Sequence, residues 1–165
     1  ELDDPSVTVR KAQGTNPVRV VLDPRGRLAE TYSIFTDDEA PTLWMQSIEA
    51  TAKNEHEKLR DGIQIVPLQE GVKGFPPVAV IDELRNRGLN RILIEGGGLT
   101  VSQFLAEDLL DRLHISVAAL LIGSGKAGIT LPEVQTLDGI RRPTVRHFQL
   151  GSDLLFDLDL RSETV

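Results

Sequence analysis

The sequence predicts an α/β fold with a central mixed sheet flanked by helices and an antiparallel hairpin at its end. Short apolar runs alternate with helical patterns up to about residue 110, which is typical of βαβ units with parallel strands. Residues 144–160 instead form two strand-like runs around Gly151–Asp153, the pattern of a hairpin. The length of 165 residues fits one domain with a sizeable core. We therefore expect parallel strands first and antiparallel strands last.

The first half of the chain is predicted to hold three strands and two helices. The strands are short apolar runs bounded by Pro or Gly: residues 18–23, 41–45 and 63–68. Residues 48–60 are polar and helix-tolerant, and we expect a surface helix there. A second helix is predicted over residues 75–88, because Val78, Ile81 and Leu84 recur at helical spacing before Gly88.

The second half begins with a predicted strand over residues 91–95. An amphipathic helix follows from Leu99 onward, with apolar residues at Val101, Phe104, Leu105 and Leu109. Residues 113–122 are strongly β-prone and predict a long strand, and the glycine-rich stretch 123–128 predicts a loop.

Composition excludes several function classes. The formal net charge of −7 and the pI near 5.0 argue against binding to nucleic acid or to an anionic membrane surface. The sequence contains no cysteine, so thiolate chemistry is absent, and no apolar run reaches the length of a membrane span. The expected location is cytoplasmic.

Metal binding is not expected either. The three histidines are too scattered for a metal cluster and are predicted to be structural or on the surface: His56, His114 and His147. The acidic residues Asp37, Asp38 and Glu39 predict a solvated turn.

The stretch RILIEGGGLTVSQFL, residues 91–105, carries the clearest signal for a ligand. A strand that leads through glycines into a helix can bind an anion, because the first helical N–H groups are unpaired and glycine lets a phosphate approach the backbone. The spacing matches neither the Rossmann pattern GxGxxG nor the P-loop. The alternative is a tight turn without a ligand.

Glu95 precedes these glycines at the end of the predicted strand. An ionised carboxylate there is costly unless it is paired or used. It either faces a ligand, or faces solvent and nearby backbone N–H groups, and the local pattern leaves both open.

These segments resemble a known family. Residues 91–125 resemble the cofactor-binding segment of the dihydrofolate reductase superfamily. Among the members of this superfamily, the chain is similar to the reductase domain of the riboflavin-pathway pyrimidine deaminase/reductase. The similar residues are the Glu before the glycines, DDPSVTVR at residues 3–10 and the strand VRVVLD. The likeness covers nearly all of residues 1–160.

The resemblance implies an NADPH-dependent reductase acting on a small phosphorylated substrate. In the family, the ribosyl group of 5-amino-6-(5-phosphoribosylamino)uracil is reduced to ribityl. The implied substrate residues are Glu95, also the candidate catalytic residue, with Val7 and with Arg10 as a phosphate clamp. The implied cofactor residues are Asp3, Gly97, Gly98, Leu99, Thr100, Val101, Ser102 and Gln103. Gln46 and Ser47 are candidate contacts to the cofactor's 2′-phosphate.

The chain also departs from the family's pattern. It is interpreted as a single reductase domain over residues 1–165 that lacks the family's N-terminal strand and helix. Pro24 stands where the pathway enzyme has a Ser that bonds the cofactor, and the turn GGGLT replaces GGPTL. The loop GSGKAG, residues 123–128, lies either beside the active site or dimer interface, or against the cofactor.

Two alternatives to this function remain open at the level of the sequence. One is another reductase of the same superfamily with a different substrate. The other is a non-catalytic binding or dimerisation module of this fold. A homodimer is expected from the family and from the exposed edge of the final hairpin.

Overall fold

A computed structural model describes residues 4–54, 59–136 and 140–163. The chain divides into two compact units, Glu1–Asn86 (unit 1) and Arg87–Val165 (unit 2). Asp3 and His56 lie outside the described residues, so the predictions made for them are not tested.

The described residues of unit 1, 4–54 and 59–86, form a parallel three-stranded sheet and three helices. Its strands are β1 (Arg19–Leu22), β2 (Thr42–Ser47) and β3 (Ile63–Leu68), and β2 lies between the other two. Its helices are α1 (Ser33–Thr36), α2 (Ile48–Lys53) and α3 (Pro77–Asn86). The predicted strands and the βαβ order are therefore confirmed.

The centre of unit 1 is the strand β2. Every residue of β2 is buried, as expected for a central parallel strand that is covered on both faces. The rings of Trp44 and Phe35 pack with centroids 4.3 Å apart, and α3 buries Val80, Ile81 and Leu84. The predicted buried face of α3 is confirmed for Ile81 and Leu84 but wrong for Val78, which is 48% exposed, because the helix turns Val80 toward the core instead.

The boundaries of the helices α2 and α3 are explained by nearby residues. The Ser47 hydroxyl accepts a hydrogen bond from Ala50 N at 3.0 Å, which caps the start of α2. The helix α2 ends at Lys53, earlier than the predicted residue 60. After α3, Gly88 has φ +79°, the left-handed conformation of a helix stop signal.

Unit 2 contains the helix α4 (Gly98–Ala106) and an antiparallel sheet. The strands are β4 (Arg112–Val117), β5 (Pro143–Leu150) and β6 (Asp153–Glu163), with β6 in the middle. The hairpin turn with Gly151 at φ +67° joins β5 to β6, as predicted. The mixed α/β fold is confirmed, and its parallel and antiparallel strands form two separate three-stranded sheets.

Two predicted strands in unit 2 are wrong in extent. Residues 91–95 form no strand, and Leu93 is 77% exposed, because no described strand pairs with them and β-propensity alone does not make a ladder. The strand predicted over 113–122 ends at Val117, whose partner in β6 is Leu154. Since β6 begins at Asp153, the ladder has no opposing residues beyond that point.

Charged side chains cross the antiparallel sheet in register. Asp157 of β6 lies opposite His114 of β4 and Arg146 of β5. Its carboxylate accepts a hydrogen bond from Arg146 at 2.6 Å, and His114 Nε2 lies 3.2 Å from its other oxygen. The hydrogen bond from Arg146, with the charges of Arg112, Arg146 and His114, lowers the pKa of Asp157. Hydrogen bonds from Arg161 lower the pKa of Asp159 to about 2.

Candidate functional site

The glycine turn leads into α4 as the sequence predicts. Gly97 is the N-cap residue, with extended backbone and no side-chain cap, and the first turn of α4 carries no acidic residue. The first N–H groups of such a helix have no partner within the helix and carry partial positive charge. The start of α4 can therefore accept an anionic group.

The three glycines of this turn have different surroundings. A Cβ on Gly98 would lie 2.5 Å from the carbonyl oxygen of Ala127 and 2.6 Å from that of Gly128, so the loop approaches too closely for a side chain. A Cβ on Gly96 would meet Thr100 at 3.3 Å. A Cβ on Gly97 would meet no atom of the described residues within 4 Å. Gly98 thus has a structural reason, while Gly97 leaves open space for a ligand.

Ser102 fastens the following loop to α4. Its buried hydroxyl donates to the carbonyl of Gly98 at 2.5 Å and accepts from Thr130 N at 2.8 Å. The sequence implied a cofactor contact for this residue, but its hydroxyl is already used within the protein. The GSGKAG loop therefore lies against the start of α4, where Lys126 is exposed.

The other implied cofactor residues lie in the first two turns of α4. Thr100, Val101 and Gln103 are half-buried, whereas Leu99 is 80% exposed. An exposed apolar side chain beside an open backbone suits contact with a ligand.

Glu95 is exposed, and it makes no hydrogen bond or ion pair with another residue in the part of the chain that the structure describes. Glu95 does not end a buried strand as predicted, because residues 91–95 are not a strand. Its position immediately before the glycines leaves its carboxylate available for a donor on a ligand.

Val7 and Arg10 belong to unit 1. Val7 has φ +49°, which is a strained conformation for a β-branched residue. Arg10 is exposed and has no ion-pair partner within residues 4–54, 59–136 and 140–163. A guanidinium of this kind suits bidentate binding of a phosphate.

The turn after β1 is held rigidly at the carboxyl end of the parallel sheet. The buried carboxylate of Asp23 accepts hydrogen bonds from the backbone N–H groups of Arg27 and Leu28, at 3.1 and 2.9 Å, and from Trp44 Nε1 at 3.3 Å. Arg25 and Arg27 project from this turn as exposed cations. Ligands of open α/β sheets bind at this end of the strands.

Gln46 and Ser47 do not fit the role of phosphate contacts. Gln46 is fully buried, and Ser47 is buried with its hydroxyl capping α2. They follow an apolar strand in the sequence, but β2 continues through them, which places both inside the unit.

The structure gives no indication of a metal site or a membrane-spanning helix. Among the described residues, no three acidic, His or Cys side chains come together as metal ligands, and none of the helices has the length and apolar character to cross a bilayer. His114 contacts Asp157, and the ring of His147 packs edge-on against Phe156 with centroids 4.9 Å apart.

Sequence analysis missed the role of two residues in unit 1. Arg19 is only 2% exposed and bonds the leading segment, and Asp37 pairs with it at 2.6 Å instead of lying in a solvated turn. The available signal was an Arg at the start of an apolar strand, which must find acceptors when it is buried.

Unit 1 has parallel strands with exposed cations at their carboxyl end, and unit 2 has an open glycine turn at the start of a helix; each of these features suits a phosphorylated ligand. Comparison with known proteins makes the class of protein specific. The family model for the RibD C-terminal domain matches residues 1–156. The chain belongs to this family, and the predicted class, a pyrimidine reductase of riboflavin biosynthesis, is confirmed.

Individual relatives agree with this assignment. The 2,5-diamino-6-ribosylamino-4(3H)-pyrimidinone 5′-phosphate reductase of Methanothermobacter thermautotrophicus is 30% identical over 96% of this chain and 74% of the relative. The riboflavin biosynthesis protein RibD of Aquifex aeolicus is 29% identical over 93% of this chain, which spans 42% of that protein.

A solved structure shows the same fold. The RibD structure of Acinetobacter baumannii superposes with a TM-score of 0.72 at 25% identity, over 95% of this chain and 43% of that one. The chain thus spans less than half the length of the RibD proteins it matches.

Proposed function

We propose that this chain is an NADPH-dependent reductase that converts the ribosyl group of a pyrimidine ribosyl phosphate into a ribityl group. The reaction adds a hydride and a proton to the sugar, which opens as it is reduced. The nicotinamide supplies the hydride, and the protein binds and orients the two molecules. The observation that carries the proposal is the open Gly97 at the start of α4 in a chain that belongs to this family.

The start of α4 supports a role in binding the cofactor's pyrophosphate. The backbone at Gly97 is accessible, the helix N-terminus favours negative charge, and Lys126 lies in the loop that contacts Gly98. The contribution of residues 97–103 is then mostly through the backbone, because the Ser102 hydroxyl is engaged with Gly98 and Thr130.

The turn after β1 supports the choice of NADPH over NADH. Arg25 and Arg27 are exposed cations that no described residue pairs, and a phosphate is their natural partner. We assign them to the 2′-phosphate in place of Gln46 and Ser47, which are buried.

Three residues are proposed to bind the substrate. Glu95 accepts hydrogen bonds from the polar groups of the pyrimidine or the sugar, and Arg10 clamps the phosphate. Val7 is held in a strained conformation, which is found more often at functional sites than elsewhere. Each assignment extends to this chain the family's role for the matching position.

Two pyrimidines are candidate substrates. The family resemblance favours 5-amino-6-(5-phosphoribosylamino)uracil, whereas the archaeal relative is named for 2,5-diamino-6-ribosylamino-4(3H)-pyrimidinone 5′-phosphate. The two differ at position 2 of the ring, which carries either an oxygen or an amino group. The higher kcat/KM, measured by NADPH oxidation, identifies the substrate.

Substituting Glu95→Gln tests the catalytic proposal. The side chain is exposed and unpaired, so the amide should leave the unfolding temperature unchanged while it removes the charge that binds the substrate's donors. We expect kcat/KM to fall by about 10- to 100-fold, the usual range for losing one charge-assisted hydrogen bond.

The kinetics of Glu95→Gln, a comparison of substrates and a binding measurement together separate the remaining alternatives. Unchanged kinetics in a folded Glu95→Gln chain would remove Glu95 from the site. Turnover of dihydrofolate in preference to both pyrimidines would indicate another reductase of the superfamily. A chain that binds the ligands without turnover would indicate a binding module. The homodimer and the cytoplasmic location stay predictions, and sedimentation tests the first.

A further inference from the structure

The leading segment of unit 1, residues 4–10, has no regular secondary structure but is fastened at several points. The Asp4 carboxylate accepts hydrogen bonds from Ser33 N and Oγ, at 2.8 and 2.6 Å. Val9 N donates to Asn16 Oδ1 at 2.8 Å. Between these two points, the carbonyl of Ser6 accepts a hydrogen bond from Arg19 Nη1 at 3.1 Å.

The bond to Ser6 acts on the strained residue of this segment. The Ser6 carbonyl belongs to the same planar peptide unit as the N–H of Val7, so a bond that fixes this plane restricts φ of Val7 together with ψ of Ser6. That angle is +49°, in the region that β-branched residues rarely adopt. A strained backbone persists only where its surroundings fix it, and here Arg19 fixes one side and Asn16 the other.

Arg19 is itself held by buried acceptors. Its Nε donates to Thr42 Oγ1 at 3.0 Å, Nη2 to the carbonyl of Ala40 at 2.7 Å, and Nη1 also to Asp37 Oδ1 at 2.6 Å. The side chain is buried, so these bonds are shielded from water and hold the guanidinium in one place. The planar fork of arginine can satisfy these directions at once, whereas a lysine cannot.

We propose that Arg19 is a positioning residue for the substrate, which it holds through the conformation of Val7. The inference rests on the proposed function, because Val7 and Arg10 are substrate residues only there. Arg19 connects the strands β1 and β2 to residues 4–10, a segment that is not itself part of a sheet. The guanidinium touches no substrate, and it acts through the Ser6–Val7 peptide.

The kinetic test uses Arg19→Lys, which keeps the charge but loses the fork. We expect KM for the pyrimidine substrate to rise about tenfold or more, because a displaced binding segment weakens substrate positioning. The dissociation constant for NADPH should stay within about twofold of wild type. The matched control is Arg60→Lys, an exposed arginine that pairs with Asp38 and makes no hydrogen bond or ion pair with the described residues 4–10.

A second variant covers the case in which Arg19→Lys does not fold. Asp37→Asn keeps Arg19 but weakens the bond to Nη1, the same nitrogen that binds Ser6. KM should rise in the same direction by a smaller factor. A folded Arg19→Lys or Asp37→Asn chain with unchanged KM would overturn the inference. Wild-type chain that turns over neither pyrimidine would instead contradict the proposed function.

A double-mutant cycle tests the link to Val7 without any turnover. Glycine adopts φ +49° at little cost, so Val7→Gly removes the strain that the bond from Arg19 maintains. The loss of unfolding free energy on Arg19→Lys should then be larger in the Val7→Gly background than in wild type, because in wild type the release of strain at Val7 offsets part of the loss. Additive effects would mean that Arg19 is a structural residue that does not act on Val7, and would reject the inference.

Discussion

At the scale of the residue, the glycine turn shows how identical residues in sequence can have different functions. Gly98 is required by the loop that contacts it, whereas a side chain at Gly97 would contact none of the residues that the structure describes. The sequence predicted a ligand turn from the run of glycines as a whole. Which glycine serves the fold depends on residues 127 and 128, some thirty positions away, and no local pattern reveals that.

Gly97 and Gly98 therefore form a matched pair of substitutions. Gly97→Ala places a methyl group in open space at an ordinary φ of −66°, so the unfolding temperature should stay near wild type. Binding of NADPH, followed by calorimetry, should weaken by about tenfold or more as the methyl group blocks approach to the backbone.

Gly98→Ala, in contrast, should lower the stability of the fold. Its methyl group would lie 2.5 Å from a backbone carbonyl, so the loop must move, at a cost of about 1–3 kcal/mol in unfolding free energy. Equal loss of NADPH affinity in both variants, with equal stability, would contradict the separate functions of the two glycines.

At the scale of the element, sequence patterns located most strands and helices but not the strands' ends or partners. The strands β1, β2 and β3 and the helix α3 follow from their own apolar residues. Residues 91–95 are as rich in apolar residues as those strands, yet they pair with no strand that the structure describes. β4 ends at Val117, opposite the beginning of β6, and that limit is set by the hairpin turn at Gly151.

The candidate site shows the same limit. The start of α4 and the glycines before it were located from their sequence, since their signal is local. The roles of Arg19, of Asp37 and of the Ser102 hydroxyl depend on partners that are distant in the chain, and these roles could not be predicted.

The loop 123–130 should depend on one hydroxyl group. Ser102→Ala removes the acceptor of Thr130 N and the donor to Gly98, so the hydrogen bond that attaches the loop to α4 is lost. We expect unfolding free energy to fall by about 1–3 kcal/mol and proteolysis within the loop to become faster. Ser124→Ala, in the exposed part of the loop, is the control. Equal proteolysis rates in the two variants would argue against this attachment.

The turn after β1 should set the preference between the two nicotinamide cofactors. Arg25→Ala and Arg27→Ala should each reduce kcat/KM for NADPH by about 10- to 100-fold and leave that for NADH nearly unchanged, because only NADPH carries the 2′-phosphate. The ligands 2′,5′-ADP and 5′-AMP give the same comparison by binding alone. Arg85→Ala, on α3, is the control. Equal losses with both cofactors would contradict the assignment.

At the scale of the whole molecule, each sheet carries buried charge that the rest of the unit satisfies. In unit 1, Arg19 and Asp23 sit at opposite ends of β1, and each is bonded several times. In unit 2, Asp157 receives bonds from both neighbouring strands. Because these contacts join different elements, protonation of a single carboxylate can affect the stability of a whole unit.

The pH dependence of unit 2 follows from the two carboxyl groups of β6. The pKa of Asp157 is lowered in the folded protein, and that of Asp159 is lowered to about 2, from an ordinary value near 3.8. A carboxyl group whose pKa is lower in the folded state stabilises the protein at a pH above its pKa in the unfolded chain. This stability is lost as the pH falls toward the pKa of the folded state.

Urea unfolding should therefore show an unfolding free energy that is constant near pH 6 and declines between about pH 4 and pH 2. Asp159→Asn should make that decline shallower, whereas Asp82→Asn, on an exposed face of α3, should not. If the decline has the same slope in Asp159→Asn as in wild type, Asp159 does not stabilise the antiparallel sheet through its charge.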